Sequence, residues 1–266
     1  MTVLDRILAT KRDEVTMLRR PQTRDLLRGR ALDAGPTRDC VGALRRDDGH
    51  PGLIAEIKRR SPSKGDLAPD LDPEALARVY EAGGATALSV LTDAPYFGGA
   101  VSDLETAREA STLPVLRKDF TIDEIQVYEA RAIGADAILL ILAALPDDAL
   151  VADLSELAGS LEMAVLVEAH DEAEVTRGVT LGAEILGVNA RNLGTFAEDL
   201  DGAAALIAHI PESTITVAES AIRTASDAQR LAAAGFDALL VGEALVLSDD
   251  ARALAASLVA PLVSPR

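Results

Sequence analysis

Aromatic side chains are nearly missing from this 266-residue chain: it has no tryptophan, three tyrosines and four phenylalanines. Its core must be aliphatic, and an aromatic surface beside a ligand has to use one of those few rings. Cysteine is scarcer still, and the lone Cys40 excludes an internal disulfide. Three histidines without paired spacing give no metal site, and no cofactor is expected. Basic residues are outnumbered by acidic ones, 26 to 43, for a net charge of −17 and a pI near 4.5. Binding phosphates over a wide surface needs a basic patch, so no nucleic-acid partner is expected. No apolar run approaches the roughly 18 residues that span a bilayer, so no membrane partner is expected. The N-terminus, MTVLDRILATKRDEV, is too charged for a signal peptide. The expectation is a soluble cytoplasmic protein, a monomer with a homodimer as the alternative. Lysine is rare as well. Only Lys11, Lys58, Lys64 and Lys118 occur among the 26 basic residues, so a lysine at a strand end is less readily dismissed as surface decoration.

What the chain does have is aliphatic sequence in short, regularly placed runs. From residue 53 these are LIAEIK, ALSVLT, VLRKDF, AILLIL, AVLVEAH, ILGVNAR, ITVAES and ALLVGEA, separated by stretches with helical spacing. Strands alternating with helices imply parallel pairing, because a parallel connection needs a crossover. Eight such units are what a (β/α)8 TIM barrel requires. Gly84, Gly134, Gly182 and Gly235 recur at 50, 48 and 53 residues, two units apart, each ending a helix before an even-numbered strand. The helices DPEALARVYEAGG, TIDEIQVYEARAIGA and TASDAQRLAAAGF open at an acidic cap and close at glycine. The organisation predicted is one barrel domain over residues 1–266, with residues 1–46 as an N-terminal helical extension. Val3, Leu4, Ile7, Leu8, Val15 and Leu18 recur at helical spacing and predict a helix over one barrel end. The stretch LDAGPTRDCVGALRRDDGHPG reads as a loop with one short helix.

Barrel chemistry sits where strands end at the C-terminal face. There the chain carries Glu56 and Lys58 (strand 1), Lys118 (strand 3), Glu168 (strand 5), Asn189 and Arg191 (strand 6), and Glu219 and Ser220 (strand 7). Side chains two apart share a face, so Glu56 and Lys58 point with Ile54 into the barrel. Any one charge at a strand end can simply mark where the strand meets water. Two lysines and three carboxylates converging on one rim perturb one another's pKa values and suit acid and base work. His170 follows strand 5 and reads as a solvated loop residue, and His209 carries no role. A phosphate site is expected in the loops after strands 7 and 8, AESAI and VGEAL, where Gly242 permits close backbone approach. Ser61, Ser63 and Lys64 of SPSKG are placed to close over a ligand.

These segments, IAEIKRRSPSKG, LTDAPYFGG, PVLRKDF, VLVEAH, GVNARNL, VAESAI and VGEAL in that order, resemble the indole-3-glycerol-phosphate synthase family. The resemblance spans roughly residues 50–247, and the N-terminal extension fits it. It implies a carboxy-lyase of tryptophan biosynthesis, without cofactor or metal. The implied reaction converts 1-(2-carboxyphenylamino)-1-deoxyribulose 5-phosphate to indole-3-glycerol phosphate with loss of carbon dioxide and water. By similarity Lys118 is the principal general acid and Glu168 a second acid/base group. Lys58 contacts substrate and acts in dehydration, with Glu56 as its base or as the group that keeps it charged. Asn189 and Glu219 orient hydroxyls, and Arg191 stabilises the site or the substrate carboxylate. Ser61 adds a contact, while Ser220, Gly242 and Glu243 bind phosphate, mainly through backbone N–H groups. Phe97 and Phe120 sandwich the aromatic ring.

Two positions depart from the family pattern. Ala221 stands where glycine is usual, so a positive φ there would strain the phosphate loop by on the order of 1 kcal/mol. Ala190 replaces a common second asparagine. The rival readings are another phosphate-binding barrel, such as phosphoribosylanthranilate isomerase or a Schiff-base aldolase using Lys118, and a catalytically silent barrel. The isomerase or aldolase would not call for Glu56, Lys58 and Glu168 together, and a silent barrel predicts broken strand-end chemistry.

Overall fold

A computed structural model describes residues 2–45, 50–191 and 197–260. Eight parallel strands close into a barrel: β1 (Gly52–Ile57), β2 (Ala87–Leu91), β3 (Val115–Lys118), β4 (Ala137–Ile141), β5 (Ala164–Ala169), β6 (Ile185–Asn189), β7 (Ile215–Glu219) and β8 (Ala238–Val241). The ring is sealed by β1, which pairs with β2 on one side and β8 on the other. The (β/α)8 expectation from the eight aliphatic runs is met.

Strand parity divides the core in two. Leu53, Ala55, Ile57, Leu88, Val90, Leu140 and Leu239 face outward and pack under the helices. Ile54, Ala87, Leu116, Leu139, Leu166, Ile185, Val217 and Leu240 face inward and fill the barrel. Near-continuous apolar strands are what burial on both faces demands. Gly84, Gly134, Gly182 and Gly235 have φ of 89°, 86°, 75° and 110°, so the recurring glycines do supply left-handed turns between helix and strand. Two of the three quoted helices open as expected, on Asp72 and Asp123. The third opens on Thr224, whose hydroxyl accepts the Asp227 N–H while the Asp227 carboxylate reaches back, forming a capping box.

The N-terminal extension touches both ends of the barrel. Helix α1 (Val3–Leu18) lies over the C-terminal end, where Val3, Leu4 and Ile7 line the cavity described below. Helix α3 (Cys40–Leu44) closes the other end, with Cys40 and Leu44 packed into the inward-facing core. Burial pushes the Cys40 thiol up to about 12, which leaves it uncharged and unreactive. Between them runs α2 (Pro21–Leu32), a helix the aliphatic spacing did not single out, because its few apolar residues are diluted by arginine. Its anchor is tertiary: Leu27 is buried in a small cluster with Val15 and Ile125. Part of the predicted short-helix stretch, residues 46–49, lies outside the described residues.

Candidate active site

The last inward-facing residues of the odd strands are Glu56, Lys118, Glu168 and Glu219, in the place where another layer of barrel core would sit. Those of β2, β4 and β8 are Leu91, Ile141 and Leu240, and β6 contributes Asn189. A charged floor with apolar flanks results. Above it opens a cavity enclosing about 1140 Å³, part of it continuous with solvent.

Lys118 Nζ donates to Glu168 Oε2 and to Glu219 Oε2, both at 2.8 Å. Burial opposes its charge, but Glu168, Glu219 and Glu56 outweigh that cost and hold the ammonium above its ordinary range. Burial likewise works against charge on Glu168. Lys118 and His170 overcome it, so this carboxyl stays ionised well below the usual range. Glu219 goes the other way. Burial raises it, Lys118 lowers it and the Glu168 charge raises it again, leaving it up at about 8. One ammonium therefore serves two carboxyls, and at neutral pH Glu219 keeps the proton. Its Oε1 atom is buried without a hydrogen-bond partner among the described residues. Room for Glu219 comes from Gly187 of β6, where a Cβ would collide with that same oxygen.

Lys58 reaches back to Glu56, and the two form a close buried pair beside this triad. The missing side chain of Gly242 makes room for the Glu56 carboxylate, since a Cβ there would run into Oε1. That is a different task from the phosphate approach expected of Gly242, and it is the one visible in the structure. Asn189 Nδ2 donates to Glu168 Oε1 at 3.1 Å, and Asn189 Oδ1 accepts the Arg191 N–H at 3.0 Å. Arg191 donates to Glu198 at 2.6 Å and lies 3.4 Å from Glu243. Glu198 also pairs with Arg223, and Lys64 stands 3.6 Å from Glu243, so the rim over β6 to β8 is a charge network. Ser220 and Ala221 have φ of 68° and 60°, and a four-residue helix, Glu243–Val246, follows Gly242. Alanine does sit in the left-handed region at position 221. Ser61 is buried and accepts the Lys64 N–H at 3.2 Å.

All thirteen predicted site residues gather around this cavity. One detail is corrected. The Phe97 and Phe120 rings do not flank an empty slot: their centroids are 6.2 Å apart at 39°, too close and too tilted to admit a third ring. They touch each other and form one apolar wall.

His170 is also corrected. It is no solvated loop residue: its side chain is 9% exposed, with Nε2 3.2 Å from Glu168 Oε1 and Nδ1 3.1 Å from Glu174 Oε2. The Glu168 contact is off the line of a hydrogen bond, so it acts chiefly through charge. Burial disfavours a charged ring, but the two carboxylates override it and raise His170 to about 10. Its position two residues past Glu168, on the same face, was the available signal. Sequence reasoning also missed Glu198 and Arg223, which lie on loops outside any strand pattern.

A family model described as "Indole-3-glycerol phosphate synthase" matches residues 4–258. Proteins called indole-3-glycerol phosphate synthase are similar throughout. The one from Laribacter hongkongensis is 49% identical over 261 residues, covering 97% of this chain and 99% of its own. Those from Kineococcus radiotolerans and Chlorobium limicola are each 48% identical, over 268 and 250 residues, covering 100% and 94% of this chain and 97% and 96% of their own. Among solved structures, the thiamine phosphate pyrophosphorylase of Pyrococcus furiosus superposes with a TM-score of 0.57 at 17% identity, covering 79% of this chain and 94% of its own. The N-acetylmannosamine-6-phosphate 2-epimerase of Clostridium perfringens gives 0.60 at 16%, covering 78% and 90%. Those two likenesses speak for the fold alone. Barrel, charged floor and full-length similarity agree, and the chain belongs to the indole-3-glycerol phosphate synthase family.

Proposed function

We propose that Lys118, held between Glu168 and Glu219 and facing the cavity, is the group around which this chain's chemistry is built. The activity is that of the family, a decarboxylating lyase of tryptophan biosynthesis acting on 1-(2-carboxyphenylamino)-1-deoxyribulose 5-phosphate. The ring carbon that bears the carboxylate bonds to the ketone carbon, and the ketone oxygen takes up a proton. Carbon dioxide then leaves its bonding pair to the ring. The new hydroxyl departs as water, and loss of a proton from the neighbouring carbon completes the indole.

Each step finds a group on the floor. Lys118 stabilises and then protonates the ketone oxygen. An ammonium gripped by two carboxyls is a reluctant donor, so its first contribution is fixed positive charge where negative charge develops. Lys58, in contact with Glu56, acts at the departing hydroxyl, and Glu168 serves as the second acid/base group. Glu219 and Asn189 orient sugar hydroxyls. Both line the cavity beside Lys118 and Glu168, which supports that role. Arg191 faces the substrate carboxylate, and the phosphate is bound by N–H groups of the Ser220 loop and the Gly242–Glu243 turn, with Ser61 opposite. Phe97 and Phe120 offer their shared wall to the aromatic ring. All of these groups come from one chain, which supports a working monomer.

The carrying observation is the pair of 2.8 Å contacts that Lys118 makes at the cavity floor. Purified protein mixed with the carboxyphenylamino-deoxyribulose phosphate should develop indole fluorescence. Folded protein that forms no product overturns the proposal.

A further inference from the structure

Lys11 takes no part in the steps above, yet at 1% exposure it is among the most deeply buried charges. Its ammonium, reaching down from α1, stands 2.8 Å from Glu14 Oε2, 2.9 Å from Asp93 Oδ2 and 2.8 Å from Asp119 Oδ1. Asp93 and Asp119, just past the ends of β2 and β3, are 0% and 4% exposed. Each also holds the backbone of an aromatic residue. Asp93 Oδ1 accepts the N–H groups of Tyr96 at 2.7 Å and Phe97 at 3.2 Å, which fixes the short helix Ala94–Phe97. Asp119 Oδ1 accepts the Phe120 N–H at 2.8 Å. A second tie joins the same parts: the Tyr96 hydroxyl donates to the Arg6 carbonyl at 3.1 Å and lies 2.9 Å from Thr10 Oγ1.

Burying an ammonium is costly unless its partners are well placed, and here the partners are the two carboxylates that set the aromatic wall. We infer that Lys11 is a positioning residue for ring recognition, holding Phe97 and Phe120 in place through Asp93 and Asp119 and so tying the N-terminal helix to substrate binding. This rests on the reading of Phe97 and Phe120 as the wall that meets the ring. The two ends are not equally dependent. Asp119 keeps Thr92, at 2.5 Å, and Arg117, at 3.4 Å, when Lys11 is removed. Asp93 keeps no other cation among the described residues. The Phe97 side of the wall therefore loosens first.

The test uses two fragments of the substrate, anthranilate and inorganic phosphate, as inhibitors of indole formation by the full chain. Lys11→Met should raise KM and weaken anthranilate about tenfold, with inorganic phosphate within about twofold of wild type and kcat changed far less than KM. Lys11→Arg should restore most of the loss. A folded Lys11→Met protein with unchanged anthranilate inhibition overturns the inference. So does parallel weakening of both inhibitors, the mark of a merely loosened fold. If Lys11→Met does not fold, Asp93→Asn decides. It keeps an oxygen for the two N–H groups but weakens the grip of Lys11, so unaltered anthranilate inhibition there is a refutation. Phe97→Ala separates the two levels: if it leaves anthranilate inhibition intact, the wall reading itself has failed, whatever Lys11 does.

Discussion

Lys118 and Lys11 are buried near the same end of the barrel, each among three carboxylates, and neighbouring residues Lys118 and Asp119 join their clusters. They differ in what lies on the fourth side. Lys118 faces an open cavity, which its partners Glu168 and Glu219 also line. Lys11 is sealed, and two of its partners, Asp93 and Asp119, each give an oxygen to backbone N–H groups. Proximity of charges is thus no sign of catalysis on its own. Access to the cavity makes the difference, and substitution should separate the two clusters.

The largest effect is expected at the open cluster. Lys118→Ala should lower kcat by about 10²- to 10⁴-fold, the range for losing a positioned acid, while phosphate inhibition persists. Near-normal turnover would erase the distinction between the two lysines. The sealed cluster should answer in stability instead. Removing one partner of a buried ion pair costs about 3–5 kcal/mol, so Lys11→Met should unfold at clearly lower denaturant concentration. Equal stability with wild type would mean the sealed cluster is no keystone.

The contrast also marks what the sequence made legible. Parity along a strand is enough to aim Glu56, Lys58, Lys118, Glu168 and Glu219 inward, because side-chain period and strand ends are local properties. Eight aliphatic runs and four recurrent glycines likewise carry the barrel. Lys11 and Asp93 were invisible because they meet across 82 residues of chain and neither lies in a strand, so no periodicity links them. His170 was misjudged for a related reason. A histidine just past a strand is usually wet, and its burial depends on Glu174 folding back from the next helix. The Phe97–Phe120 contact depends on two loops, whose relative placement no local pattern encodes.

A smaller effect separates the clusters by pH. His170 and Glu219 both bind protons more tightly in the folded open cluster than at their ordinary values of 6.5 and 4.5. A raised folded pKa contributes stability that is complete below the unfolded value and lost as pH rises through the folded one. Glu219 therefore gives up its share between about 4.5 and about 8, and His170 between 6.5 and about 10. Urea unfolding at pH 7 and pH 10 should show wild type losing more stability than His170→Gln over that interval. Equal losses would show that His170 does not respond to the charge of Glu168 and Glu174. Turnover should fall above about 8 as Glu219 gives up its proton. A flat rate to pH 10 would leave that proton without a role.

The smallest effect lies in the loop after β7, next to the open cluster but outside it. Ala221 has φ of 60°, where an L-residue costs roughly 1 kcal/mol more than glycine. Ser220 before it shares the region at 68°, so the chain holds two successive left-handed residues with no glycine to relieve them. Such strain persists only where surrounding contacts impose it, and the proposed phosphate site is a natural place. Ala221→Gly removes the penalty from the folded state but also loosens the unfolded chain, and the two contributions oppose each other. The expected net is stabilisation below about 1 kcal/mol, read by urea midpoint, with kcat unchanged because no proposed acid or base moves. A rise in kcat of tenfold or more would mean that this strain is coupled to the charged floor, and the loop would have to be counted as part of the open cluster.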